Sequence, residues 1–213
     1  MSEGRRLPVY LVMDTSGSMS GEPIEAVRQG MKALVAELKG DPQALETAYL
    51  SVITFNSSAQ QVAPLADLLS FQEPTIDAGG STAFGEALRV LQQCVDREVV
   101  KTTKTKKGDW TPLIFLMTDG QPTDSWEQEA DNVKQKRLGN LIACAAGAGA
   151  DENLLKRVSE VVVKLNNLQP DTLKAFFKWV SSAIKTTSEK IAQVAAGAPT
   201  NLPPPPPQIT IVP

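Results

Sequence analysis

Val9-Tyr10-Leu11-Val12-Met13-Asp14-Thr15-Ser16-Gly17-Ser18-Met19-Ser20-Gly21 is the stretch whose reading decides the fold. An apolar run stops at an acid and passes straight into hydroxyls and glycines. Leu7 to Met13 reads as a strand buried on both faces, because it is apolar almost without a break. Asp14 then stands at the C-terminal end of that strand, the edge at which open α/β sheets bind ligands. Ser16 and Ser18 follow in a D-x-S-x-S spacing, and the two glycines let the loop fold tightly. One carboxylate and two hydroxyls thus converge, and all three are oxygen ligands. Such a set suits a hard cation such as Mg2+ better than Zn2+.

Outward from that loop, strands and helices alternate. Glu22-Pro23 opens a helix, Ile24, Val27, Met31, Leu34, Val35 and Leu38 form its apolar stripe, and Gly40-Asp41-Pro42 stops it. Ala48 to Phe55 reads as a second strand. Asn56-Ser57-Ser58 is a turn, and Gln60 to Leu65 is a third strand, joined so closely that it must run antiparallel at an edge, where Pro64 is tolerated. Asp77-Ala78-Gly79-Gly80-Ser81-Thr82 is a second glycine and hydroxyl loop, feeding a helix from about Phe84. Thr111 to Met117 is another doubly buried strand and runs into Thr118-Asp119-Gly120-Gln121-Pro122-Thr123-Asp124, which repeats the opening pattern of strand, acid and glycine turn. Ser125 is placed to cap the next helix, with Trp126, Ala130 and Val133 inward, and Asp124 reads as a helix cap or start rather than a ligand. Asn140 to Ala145 and Val161 to Leu165 complete the strands, with helices at Asp151 to Arg157 and from Asp171 to about Lys185. The order predicts an α/β, Rossmann-like, doubly wound sheet. Six strands are expected, mainly parallel with one antiparallel edge, and helices on both faces.

Composition narrows the function. The chain has 213 residues, 42% of them hydrophobic, enough for one large domain with an appendage. Its net charge of -3 offers no broad basic field, so no nucleic-acid partner is expected. The four lysines between Lys101 and Lys107 read as a solvated helix end and loop, with partner docking as the sharper alternative. There is no histidine, which removes Ser-His-Asp triads, Cys-His pairs and the usual zinc sites. Cys94 and Cys144 lie in apolar patterns and are expected as buried free thiols. Met1 to Arg6 lacks a signal-peptide core and no run reaches the ~20 apolar residues of a membrane span, so a cytoplasmic, non-membrane protein is expected. Trp110, Trp126 and Trp179 read as packing residues. Met19, beside the loop, reads as packing with partner contact as its alternative.

Two strands end in an acid, at Asp14 and Asp119. If the first and fourth strands are neighbours, these ends meet at the topological switch point, and the loop Gly79 to Thr82 reaches the same edge. Five oxygen donors gather there: Asp14, Ser16, Ser18, Thr82 and Asp119. If the hydroxyls contact an ion directly while an acid acts through water, the ion stays electron-poor and seeks one more anionic oxygen.

The three segments Asp14-Thr-Ser16-Gly-Ser18, Gly79-Gly80-Ser81-Thr82-Ala83-Phe84-Gly85 and Thr118-Asp119-Gly120 together resemble the metal-ion-dependent adhesion site of the von Willebrand factor A family, over roughly Arg5 to Lys185. The wording RRLPVYLVMDTSGSMSGEPIEAV, TAYLSVITF, FQEP, GDWTPLIFLMTDGQPTD and FFKWVS is similar to the bacterial TerY-type proteins of tellurite-resistance and stress-response systems. The resemblance implies a Mg2+-type metal (Mn2+ or Ca2+ as alternatives) held by Asp14, Ser16, Ser18, Thr82 and Asp119. It also implies protein recognition rather than catalysis, with a partner's carboxylate completing the metal. TerY-type proteins are associated with a Ser/Thr protein kinase and a PP2C-type phosphatase, so phosphorylation of this domain, at no residue the sequence singles out, is an extension of that resemblance. Ser81 is a neighbouring hydroxyl that competes with Thr82; the following Ala-x-Gly favours Thr82. Many family members are exported, and nothing in the sequence supports export here.

Two alternatives remain distinct in class. A Mg2+-dependent phosphohydrolase would use Asp14 as nucleophile, but such enzymes want a second acid two residues on, where Ser16 stands. A scaffold would instead bind through the tail. The expected division is a von Willebrand factor A domain over 5–185 and a Pro-rich tail over 186–213. Within that tail Pro203 to Pro207 favours an extended polyproline conformation and Gln208 to Pro213 is apolar enough to dock, on its own domain or on a partner.

Overall fold

The structure, a computed structural model, describes residues 5–193 and 202–213. The expectations for the extreme N-terminus and for the stretch Ala195 to Pro199 lie outside those residues. Strand β1 (Leu7–Asp14) is buried along its whole length. It is followed by a short 3-10 turn at Gly17–Met19, then α1 (Glu22–Lys39), α2 (Pro42–Thr47), β2 (Ala48–Phe55) and β3 (Ala59–Asp67). Next come α3 (Phe84–Glu98), β4 (Leu113–Thr118), α4 (Glu127–Lys136), β5 (Asn140–Ala146), α5 (Glu152–Val158), β6 (Val161–Leu165), α6 (Pro170–Gln193) and β7 (Ile209–Val212).

One sheet holds all the strands in the order β3-β2-β1-β4-β5-β6-β7. β1 pairs in parallel with β2 on one side and β4 on the other, so the chain reverses its direction of travel across the sheet between β1 and β4. This is the switch point at which Asp14 and Thr118 end their strands. β3 is the expected antiparallel edge. The sheet has seven strands rather than six, because the tail returns: β7 pairs antiparallel with β6 through Ile209 to Leu165 and Val212 to Val162. Five prolines forbid a helix but leave the chain extended, and Ile209 beyond them is apolar enough to be buried.

Alternation along β1 splits the core. Leu7, Val9, Leu11 and Met13 face one apolar layer, which also holds residues of α1, α2 and α6. Tyr10 and Val12 face the other, with α3, α4 and α5. Each layer covers one face, which is why β1 and β4 carry no polar side until their last residues. Met19 is fully buried, a packing residue. Phe84 meets Trp126 and Phe115 meets Trp179, each edge to face, while the Arg5 guanidinium lies 3.6 Å from the Trp110 ring centre. The Lys101–Lys107 loop is exposed. It is closed at its neck by Asp109, whose amide donates to the Val100 carbonyl and whose carboxylate accepts from the Val100 amide. Cys94 and Cys144 are buried free thiols.

Candidate metal centre

β1 delivers Asp14 to the sheet edge with its side chain fully buried. Its Oδ1 accepts from the Ser16 amide at 2.8 Å, which folds the chain back immediately after the strand. Its Oδ2 accepts from the Thr118 hydroxyl at 2.5 Å. That bond crosses from β1 to β4 and fixes the two strand ends against each other. The Ser16 and Ser18 hydroxyl oxygens lie 3.1 Å apart, and Ser18 donates to Asp119 Oδ1 at 2.9 Å. Asp14, Ser16, Ser18 and Asp119 therefore form one hydrogen-bonded group.

The second loop closes over the first through its backbone. The Gly79 amide donates to the Thr15 carbonyl at 2.9 Å, and the Gly17 amide donates to the Gly80 carbonyl at 3.0 Å. Gly80 has φ +77°, and a Cβ there would stand 2.3 Å from the Ser57 hydroxyl, so only glycine fits the crossing. Thr82 is held by two bonds to Thr123: its amide donates to the Thr123 hydroxyl, and its carbonyl accepts from the Thr123 amide. Its hydroxyl faces Gly120, where a Cβ would lie 3.6 Å away, beside Asp119. The Ser81 hydroxyl instead turns to Ser57 on an exposed surface. Of the two adjacent hydroxyls, Thr82 is the one that lies against the Asp119-Gly120 turn.

Two residues at this edge escaped the sequence reading. Thr118 was legible only as part of the Thr-Asp-Gly turn, yet its hydroxyl anchors Asp14. Thr123 holds Thr82 across the edge, a contact no local pattern signals. Ser125 does not cap α4; the N-cap position before Glu127 is held by Trp126, with no side-chain cap. Asp124 is a cap, but of a different helix. Its two oxygens accept from the Gly85 and Glu86 amides at the start of α3.

The electrostatics are those of uncompensated acid. Burial pushes the Asp119 carboxyl above its ordinary value, the Ser18 hydroxyl pulls it down, and the charge of Asp14 pushes it up again. Among the described residues no lysine or arginine pairs with Asp14 or Asp119. A buried carboxylate without a counter-charge is costly, and the missing charge is positive. Two carboxylates balance a divalent ion, and Ser18, donating to Asp119 and accepting from Ser16, keeps one oxygen lone pair free. The donors present therefore fit a hard divalent cation.

An uncharacterised protein of Synechocystis sp. is 34% identical over 147 residues, 65% of this chain and 30% of that protein. A von Willebrand factor type A structure from Catenulispora acidiphila matches with a TM-score of 0.64 at 18% identity, over 85% of this chain and 43% of its own. Proximal thread matrix protein 1 from the mussel byssus, in a form with a zinc-occupied MIDAS motif, matches with a TM-score of 0.60 at 19% identity, over 84% of this chain and 48% of its own. These two structures speak to the fold alone. The chain spans less than half the length of each of these three relatives. Among the described residues no helix is long and apolar enough to cross a membrane. The family model of the von Willebrand factor type A domain matches residues 9–194, and the chain belongs to that family.

Proposed function

We propose that this chain is a metal-dependent protein-interaction module in which Asp14, Ser16, Ser18, Thr82 and Asp119 hold one divalent cation. The observation that carries this reading is Asp14: a fully buried carboxylate, next to a second one, that meets no cationic side chain among the described residues. Mg2+ is the expected ion, with Mn2+ and Ca2+ as alternatives, because every donor is oxygen and none is imidazole or thiolate. The zinc form of the mussel protein supports a divalent ion at this kind of motif. A bound cation supplies an electron-poor centre that an outside carboxylate can complete. The protein's part is to hold two acids and three hydroxyls rigidly at an open sheet edge.

Such a module performs no catalytic step. Ser16 stands where an Asp14-based phosphoryl transfer would need a general acid, and its hydroxyl is engaged with Ser18. Turnover of an aryl phosphate with Mg2+, lost in Asp14→Asn, would reverse this view. For the biological setting we infer a cytoplasmic, bacterial tellurite-resistance or stress-response system, with a Ser/Thr kinase and a PP2C-type phosphatase among the partners. The TerY-like wording of five sequence segments supports it, and two reduced, buried thiols accord with that compartment. The deciding experiment is a pull-down from the native host with and without EDTA, comparing wild type with Asp14→Ala. Partner capture is expected to disappear in both the chelated and the variant arms. Capture that survives both removes the metal from the function.

A further inference from the structure

Next to the metal edge lies a groove of about 640 Å3 between the first turns of α1 and the segment that leads into Gly79. Ile24 and Ala78 supply apolar lining, and Glu22, Glu25, Asp77 and Arg28 supply charge. Three carboxylates against one guanidinium leave two negative charges uncompensated. We propose that this groove is the second half of the partner site and receives a lysine or arginine side chain. That residue would sit on the same partner segment that presents its carboxylate to the metal edge. The proposal rests on the metal-dependent reading above and names the partner's chemistry: an acidic residue with a basic one nearby.

The walls are built rather than incidental. Arg28 reaches across the groove from α1. Its Nε donates to the Ile76 carbonyl at 2.6 Å, one terminal nitrogen pairs with Asp77 at 2.7 Å, and the other pairs with Glu25. The guanidinium thereby fixes both carboxylates, which keep free oxygens toward solvent; the Asp77 side chain is 81% exposed and that of Glu25 59%. The same segment continues into Gly79 and Gly80, which bond to Thr15 and Gly17. On the other side Ser20, also lining the groove, donates its amide to the Gly17 carbonyl. The groove and the metal edge thus share one pair of loops, so a single extended segment can span both. A long basic side chain suits this shape. Its methylenes can lie on Ile24 and Ala78 while its head meets Glu25 and Asp77. An anionic or phosphate group is disfavoured by the same charges.

The test uses the full chain in Mg2+ against an array of synthetic peptides. Each carries one glutamate and, at every spacing from it, lysine, arginine, glutamine or glutamate. A preference for lysine or arginine over glutamine is expected, and it should weaken as salt is raised. In the double variant Glu25→Gln, Asp77→Asn the ratio of lysine-peptide to glutamine-peptide affinity is expected to fall about tenfold, two exposed charges each counting for a few-fold. Capture that follows glutamate alone, a basic preference unchanged in the double variant, or no capture of any peptide overturns the groove. Of these, EDTA-sensitive capture that follows glutamate alone leaves the metal reading standing. Glutamate-dependent capture that persists in EDTA and in Asp14→Ala overturns the metal reading instead, and the groove falls with it.

Discussion

Asp14 is held by an amide and a hydroxyl, both neutral, in a site where its charge and that of Asp119 repel. Without a cation the folded state carries that cost; with one it does not. Asp14→Asn should therefore leave metal-free stability unchanged or raise it by about 1 kcal/mol, since it removes a buried unpaired charge while keeping the side chain's shape. Wild type should gain about 2.7 kcal/mol at a metal concentration a hundredfold above Kd, and the variant should gain almost nothing. Thermal unfolding with a Mg2+ titration reads both numbers, and an equal gain in the variant would exclude Asp14 as a ligand. At the same scale, burial pushes both thiols up, Cys144 by burial alone and Cys94 by burial and the charge of Glu98, against a smaller opposing effect of Arg97. A raised thiol is protonated at pH 8, so thiolate is scarce and access is blocked. The native protein should show no fast reaction with a disulfide reagent at pH 8, and both thiols should react after denaturation. A fast native thiol would mean that one of the two apolar layers opens readily.

Helix α3 starts without a side-chain cap of its own, at Ala83. Asp124 supplies the cap from 39 and 38 residues along the chain, and its acid also lies at the positive end of the helix. Asp124→Ala should cost about 1–2 kcal/mol in urea unfolding while leaving the Mg2+-dependent gain in place. Loss of that gain would make Asp124 part of the metal centre. Helices α1 and α6 cross at Gly30, where a Cβ would stand 2.2 Å from the buried Phe177 ring. Gly30→Ala should cost about 1–3 kcal/mol, because a ring packed on all sides has nowhere to go. What the sequence could show at this scale follows from what is local. The spans of α1, β2 and β6 were readable because an apolar period and its stop signals lie within one segment. Helix α2 was missed because Gly40-Asp41-Pro42 ends one helix and begins the next: Asp41 caps α2 from the N-cap position and Pro42 opens it. Asp124 was readable as a cap, but its target was not, since that depends on which helix the fold brings beside it. Asp14, Ser16, Ser18 and Asp119 were readable as one proposed set for the opposite reason: strand, acid and glycine turn occur twice, and the doubly wound order places β1 beside β4. Thr82, on a separate loop, joined the proposed set through the resemblance of that loop to the family's site.

At the scale of the whole molecule the sheet separates two tasks. The proposed metal edge belongs to the centre, at β1 and β4; the tail belongs to one side, where β7 closes the sheet. Four strand spacings lie between β1 and β7, about 19 Å. The tail is fastened by several contacts. Ile209 is buried, Leu202 packs on the same layer, the Trp179 indole donates to the Pro203 carbonyl at 2.9 Å, and β7 pairs with β6. Removing residues 202–213 would uncover the β6 edge, strand the Trp179 donor and empty the place of Ile209, at a cost of about 2–5 kcal/mol on the scale of a lost core side chain. Sites this far apart and sharing no partner should respond independently. The truncated chain should therefore melt earlier yet keep its full Mg2+-dependent gain and its EDTA-sensitive partner capture. If the tail were the docking element, the gain would survive and capture would not. Measuring both quantities on the one truncated chain thus separates a strand that completes the sheet from a strand that holds the partner.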